Sequence, residues 1–169
     1  NTWLDLRKVA ESGQCFTFDG ETAYYKDLST KIKRLNDRQL ELSCTEEEYK
    51  EVWKNYFGFD AEKYYLDFYE KAMKSRYEYI RKAVEFSKGM VILRQEPFET
   101  LISFIISQRN NIPKIKNTIK RLKAVTTGGN AFPNPDDIIR KENSILTIGL
   151  GYRYDYVISA SQVVKTQGI

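Results

Sequence analysis

The residues best suited to chemistry lie in one run, Ser107-Gln108-Arg109-Asn110-Asn111, set between an apolar stretch and a basic one. Arginine, asparagine and glutamine can each make two-point hydrogen bonds to base edges. The run leads into a segment opened by Pro113, and a helix N-terminus there turns backbone N–H groups toward an anion such as phosphate. Asparagine and serine are equally suited to turns and caps, so both uses stay open. From Arg109 to Pro135 there are six basic residues (Arg109, Lys114, Lys116, Lys120, Arg121, Lys123) and no Asp or Glu. The bias is local: residues 1–87 hold 15 Lys/Arg against 17 Asp/Glu, net −2, whereas 88–169 hold 12 against 6, net +6. Cations that neutralise phosphates release counterions and drive non-specific nucleic-acid affinity. A solvated helix face would carry the same pattern. A second candidate is Gly149-Leu150-Gly151-Tyr152-Arg153. Its glycines permit an unusual backbone path or a close approach, after which an aromatic stands beside a guanidinium. That pair suits insertion into an unstacked base step.

Composition narrows the chemistry. The 169 residues contain no histidine and only Cys15 and Cys44, which excludes His-based triads and general bases, disulfide scaffolds and the common zinc sites. The two thiols read as buried or pocket residues. No apolar run approaches the roughly 18 residues of a membrane span, and the first residues lack a signal-peptide core. An intracellular protein is the expectation, in cytoplasm or nucleoid, or in a nucleus, with no membrane partner and no metal.

The elements that would position these residues fall into an N-terminal part, 1–87, and a helical part, 88–169. Gln14–Phe18 and Thr22–Tyr25 read as strands joined at Asp19-Gly20, a dipeptide suited to a tight hairpin. Thr30–Leu35 and Gln39–Cys44 read as a second pair around Asn36-Asp37, with Leu40, Leu42 and Cys44 alternating inward. From Thr45 the period becomes helical. Thr45-x-x-Glu48 is a capping box, followed by Tyr49, Val52, Trp53, Tyr56 and Phe57 on one face up to Gly58. Asp60 is placed to cap the next helix, with Tyr65, Phe68, Tyr69 and Ala72 on one face. A third runs over about Tyr77–Ser87 and closes at Gly89. The many tyrosines here sit at helical spacing and read as packing rather than base stacking. Pro97, Pro113 and Pro135 open later helices. Phe98, Leu101, Ile102, Ile105 and Ile106 form a broad buried face, Ile115, Ile119 and Leu122 an inner stripe, and Asp136-Asp137 lie at a helix's positive end. Tyr156, Val157, Ala160, Val163 and Val164 define a last helix ending at Gly168.

Four segments together carry a resemblance: SGQCFTF (Ser12–Phe18), LRQEPFETLISFIISQRNNIPKI (Leu93–Ile115), FPNP (Phe132–Pro135) and IGLGYRYDYV (Ile148–Val157). In this order they resemble the 8-oxoguanine DNA glycosylase/AP lyase family of the helix-hairpin-helix superfamily. The resemblance implies an α+β fold, with an N-terminal antiparallel sheet domain of the TATA-binding-protein-like type and a helical domain. It implies base excision repair: 8-oxoguanine is flipped from double-stranded DNA and excised through a lysine Schiff base. Gly13 resembles the glycine whose carbonyl senses the proton on N7 of the lesion, with Gln14 and Phe16 beside it in the pocket. Tyr152 resembles the wedge that fills the stack, and Arg153 the arginine that contacts the orphaned base; Asn110 and Asn111 match the family's asparagines. Arg109 stands where an asparagine often reads the opposite cytosine and Lys114 where an arginine often stands, which implies weaker selectivity for cytosine. The LPGVG-type hairpin with the catalytic lysine and the aspartate after it do not occur here. No catalytic residue is therefore assigned in this chain, and the lysine and aspartate are expected C-terminal to Ile169. Asn1 in place of Met fits a portion of a longer protein, and the 169 residues alone are expected to be inactive. An amine and a carboxylate need no cofactor, and a monomer is expected. A non-catalytic DNA-binding module, or an interaction domain for an acidic protein, are the alternatives.

Overall fold

Asp5 accepts a hydrogen bond from the Lys8 amide and starts a short helix, α1 (Leu6–Glu11), which the sequence patterns had not disclosed. The computed structural model describes residues 3–36, 39–129 and 131–168. After α1 the chain does not form the strand expected over Gln14–Phe18; that segment is irregular. Gln14 bonds to a distant part of the chain, and the Asp19 carboxylate accepts from the Glu21 and Thr22 amides at 2.9 and 2.7 Å. Asp19 thus leads the chain into a strand rather than turning a hairpin.

Three strands form the sheet: β1 (Thr22–Tyr25), β2 (Leu28–Asn36) and β3 (Gln39–Leu42), in the order β1-β2-β3. The first hairpin turns at Lys26-Asp27, with Lys26 at φ +55. Strand β3 runs antiparallel to β2 in the register Ile32↔Leu42 and Arg34↔Leu40, with an irregularity between Arg34 and Asn36. β3 stops two residues before Cys44, although the Ser43 amide still reaches Lys31 O at 2.9 Å. Asp37 of the expected turn lies outside the described residues.

The Thr45–Glu48 capping box forms as expected, the Thr45 amide donating to Glu48 Oε2 and the Glu48 amide to Thr45 Oγ1. It opens a continuous helical stretch of α2 (Glu46–Glu48), a π-helical turn (Tyr49–Trp53) and α3 (Lys54–Tyr56). That stretch buries Trp53, Tyr56 and Phe57, with Phe57 edge-on to Phe18. Asp60 does not cap the next helix, α4 (Glu62–Met73); it pairs with Arg94 at 3.2 Å instead. Helix α5 (Glu78–Ser87) follows, and its C-terminal turn is tied to α4 by the Tyr69 hydroxyl, which accepts from the Gly89 amide. Gly89 has no alternative: its φ is +88, and a Cβ there would come within 2.8 Å of Asp5 Cβ.

The chain divides into two compact units, Asn1–Ala23 with Thr30–Arg94, and Tyr24–Ser29 with Gln95–Ile169. The second unit is built on α6 (Pro97–Ser107), α7 (Ile112–Thr127), α8 (Pro135–Arg140), α9 (Glu142–Ile145) and α10 (Arg153–Gln167). Its core is Phe98, Ile102 and Ile106 of α6, Ile119 and Leu122 of α7, Ile138, Ile145, Ile148 and Val157. Helix α10 packs on α6 and α8, and α7 on α6 and α9. The inward face of α10 differs from the expected one. Val157, Ile158 and Ser161 are buried, whereas Tyr156 and Val163 are about half exposed.

Candidate nucleic-acid interface

Helix α6 ends at Ser107, and its apolar face then gives way to a joint closed by its own polar side chains. The Asn110 amide donates to Ser107 O at 3.1 Å, and Asn110 Nδ2 donates to Ile106 O at 3.2 Å. Asn111 caps α7, its Oδ1 accepting from the Lys114 amide at 3.0 Å. Both asparagines therefore hold the corner itself, the cap-and-turn use that sequence alone left open. Between them and α6, Arg109 adopts φ +48, a left-handed conformation costly for a side chain with a Cβ. Its side chain is exposed, as is that of Lys114.

The second motif lies against this corner. Gly149 and Gly151 take φ +86 and +59, and no atom lies within 4 Å of a Cβ built at Gly151. Backbone shape, rather than space, calls for glycine there. Arg153, at the start of α10, is 8% exposed. Its Nε donates to Gln108 O at 2.8 Å, its Nη2 to Gln108 O and to Arg109 O, the latter at 3.2 Å, and its Nη1 to Leu150 O at 3.2 Å. Tyr152 stands about half exposed above it, its ring centroid 4.6 Å from the guanidinium carbon and its hydroxyl 3.5 Å from Gln108 O. Tyr156 meets the Tyr152 ring edge-to-face at 6.3 Å.

Along α7 the charges separate by face. Ile115, Ile119 and Leu122 are buried while Lys114, Lys120 and Arg121 are exposed. Arg121 is tethered through Nη2 to Thr147 O at 3.0 Å. Lys123 departs from the basic face: it is buried, with Nζ 3.6 Å from the centroid of the Tyr24 ring. Phe104 and Ile112, on the helices flanking the corner, are exposed apolar residues absent from the expected set. The available signal was phase, since Phe104 falls outside the 98/101/102/105/106 stripe.

In the first unit, Gly13 adopts φ +77 directly after α1. Gln14 Nε2 donates to Val91 O at 2.8 Å and to Ser12 Oγ at 3.0 Å, while its Oε1 accepts from the Leu93 amide at 2.8 Å. Cys15 is buried beside Thr17 and the Tyr56 hydroxyl, and Phe16 is half-buried. Burial pushes the Cys44 thiol above its ordinary value. Among the described residues no group of three or more His, Cys, Asp or Glu could hold a metal ion, and no helix is long and apolar enough to cross a membrane.

An antiparallel sheet with helices, followed along the chain by a helical unit whose basic corner is braced by a tyrosine-arginine turn, defines a protein of the α+β class. Residues 1–101 match the family described as 8-oxoguanine DNA glycosylase, N-terminal domain, and the chain belongs to that family. The N-glycosylase/DNA lyase of Saccharomyces cerevisiae is 35% identical over 86 residues, 44% of this chain and 23% of that protein. The structure of MBOgg1 in complex with a low affinity DNA ligand superposes with a TM-score of 0.85 at 30% identity, covering 99% of this chain and 62% of that one. The Clostridium acetobutylicum 8-oxoguanine glycosylase/lyase, in complex with double-stranded DNA containing cytosine opposite 8-oxoG, gives 0.81 at 27% identity and covers 99% and 61%. The chain thus spans less than two thirds of the length of each of these relatives.

Proposed function

We propose that the chain supplies the lesion-sensing and opposite-strand surfaces of a bifunctional DNA glycosylase that flips 8-oxoguanine out of duplex DNA. Extrusion is required because the glycosidic bond and the lesion's edges are inaccessible within the stack. Gly13 would offer its carbonyl to the N7 proton that 8-oxoguanine carries and guanine lacks, with Gln14 and Phe16 shaping that pocket. Tyr152 would occupy the vacated stack, and Arg109 and Lys114 would face the unpaired opposite base. Asn110, Asn111 and Arg153 would belong to the same surface as its frame. The Schiff-base lysine would come from the part of the relatives that this chain does not match.

What carries this reading is the corner at 107–111. It presents Arg109 and Lys114 outward beside a half-exposed Tyr152 whose ring is stacked on Arg153. The positive end of α7, with no acidic residue in its first turn, favours phosphate at the same place. The test is fluorescence anisotropy with an 8-oxoguanine:cytosine duplex, paired with borohydride trapping. The 169 residues are expected to bind the duplex, more weakly as salt rises, and to form no covalent adduct. Failure to bind any duplex would remove the DNA reading; a trapped adduct would place the nucleophile within this chain.

A further inference from the structure

We infer that Arg153 is a positioning residue that locks the 107–111 corner to the 149–151 turn and thereby sets where Arg109 and Tyr152 leave the surface; this rests on the DNA reading above. A guanidinium carries five N–H donors in a planar fork. Arg153 places four hydrogen bonds on three backbone carbonyls, two on Gln108, one on Arg109 and one on Leu150, from a position 8% exposed. Two of those carbonyls flank the residue held at φ +48, and the third lies between the two left-handed glycines. A left-handed arginine persists only when its surroundings over-determine it. Here Arg153 bonds to Arg109 O directly and to the carbonyl before it. The same guanidinium lies 4.6 Å from the Tyr152 ring centroid, so one side chain orients both exposed residues. With four hydrogen bonds so placed, Arg153 orients Arg109 and Tyr152 before any DNA is bound.

Lysine keeps the charge but cannot span three carbonyls, which separates the lock from a simple cation. In the protein without DNA, Arg153→Lys and Arg153→Gln are expected to raise amide exchange at Asn110 at least tenfold while Ile119 in α7 is unchanged. Arg109→Gly accepts the left-handed backbone without strain. Combined with Arg153→Lys, it is expected to bring Asn110 exchange back to within threefold of wild type. On the 8-oxoguanine:cytosine duplex, Arg153→Lys is expected to bind as poorly as Arg153→Gln, and adding Arg109→Ala to either should cost no further affinity. Wild-type exchange and affinity in Arg153→Lys would overturn the inference. So would losses that multiply in the double variant, or protection lost evenly over α6 and α7 and not recovered by Arg109→Gly. Because exchange is read without DNA, it judges the lock even if the wild-type protein binds no duplex.

Discussion

Gln14 shows how one side chain can join distant stretches of chain. Its amide accepts from Leu93 N and donates to Val91 O, residues 79 and 77 positions away, and so pins an irregular segment that has no strand partner there. Gln14→Leu keeps bulk and removes all of these bonds. It is expected to destabilise the protein by about 1–3 kcal/mol, read from the shift of the urea midpoint at constant slope. If Gln14 served the lesion pocket alone, the midpoint would not move. Resemblance singled out Gly13 and Gln14 as pocket residues, but the strand expected over Gln14–Phe18 does not form, and the hydrogen bonds of Gln14 to Val91 and Leu93 had no signal in the sequence. Apolar residues alternating at Phe16 and Phe18 imitate a strand when the partner that fixes the backbone lies outside any sequence window. Arg153 is a similar case. It was legible as a polar residue of the tyrosine-arginine turn, while its burial and its three carbonyls depend on how α6 and α10 meet.

At the scale of elements, caps were the most legible feature because their partners are three residues away. The boxes at Thr45–Glu48 and Asn134–Asp137 and the Asn111 cap close locally, as do the prolines that open α6, α7 and α8. Asp60 failed as a cap because Arg94, 34 positions on, competes for its carboxylate. The tie between α4 and α5 is equally non-local. Tyr69 is buried, shares its hydroxyl proton between Ser87 O and Met90 O, and accepts from Gly89 N. Burial raises its hydroxyl above the ordinary tyrosine value, outweighing the Gly89 bond that lowers it. The folded state therefore favours the neutral phenol. That contribution is fully present below the unfolded-chain pKa of about 10 and is lost as pH rises through the higher folded value. Tyr69→Phe is expected to cost about 1–2 kcal/mol at neutral pH. It should also flatten the fall in stability that sets in as pH rises above the unfolded-chain value of about 10. Denaturant titrations of both proteins across that range check it: parallel curves would refute the assignment to Tyr69.

For the whole molecule, the division of charge is the feature most directly visible in composition, net −2 over 1–87 against net +6 over 88–169. Structure sharpens it by removing Lys123 from the exposed set and leaving Lys114, Lys120 and Arg121 on the outer face of α7. Among these, Lys114 stands nearest the corner, its amide already held by Asn111 and its ammonium exposed. An ammonium is a point charge that attracts phosphate or any base acceptor, whereas a guanidinium fork discriminates by geometry. A protein reading the opposite strand with Arg109 and Lys114 should therefore gain affinity from Lys114 with little preference among C, A, G and T. Lys114→Ala is expected to weaken binding to all four 8-oxoguanine duplexes alike and to reduce the log–log salt slope by about one. Lys114→Arg is expected to restore the fork and raise the preference for cytosine by about five- to tenfold, with the total salt slope unchanged. Competition anisotropy over the four duplexes at several salt concentrations separates these outcomes. A wild-type protein already steeply selective for cytosine, and indifferent to Lys114→Arg, would show that selectivity arises elsewhere on the corner.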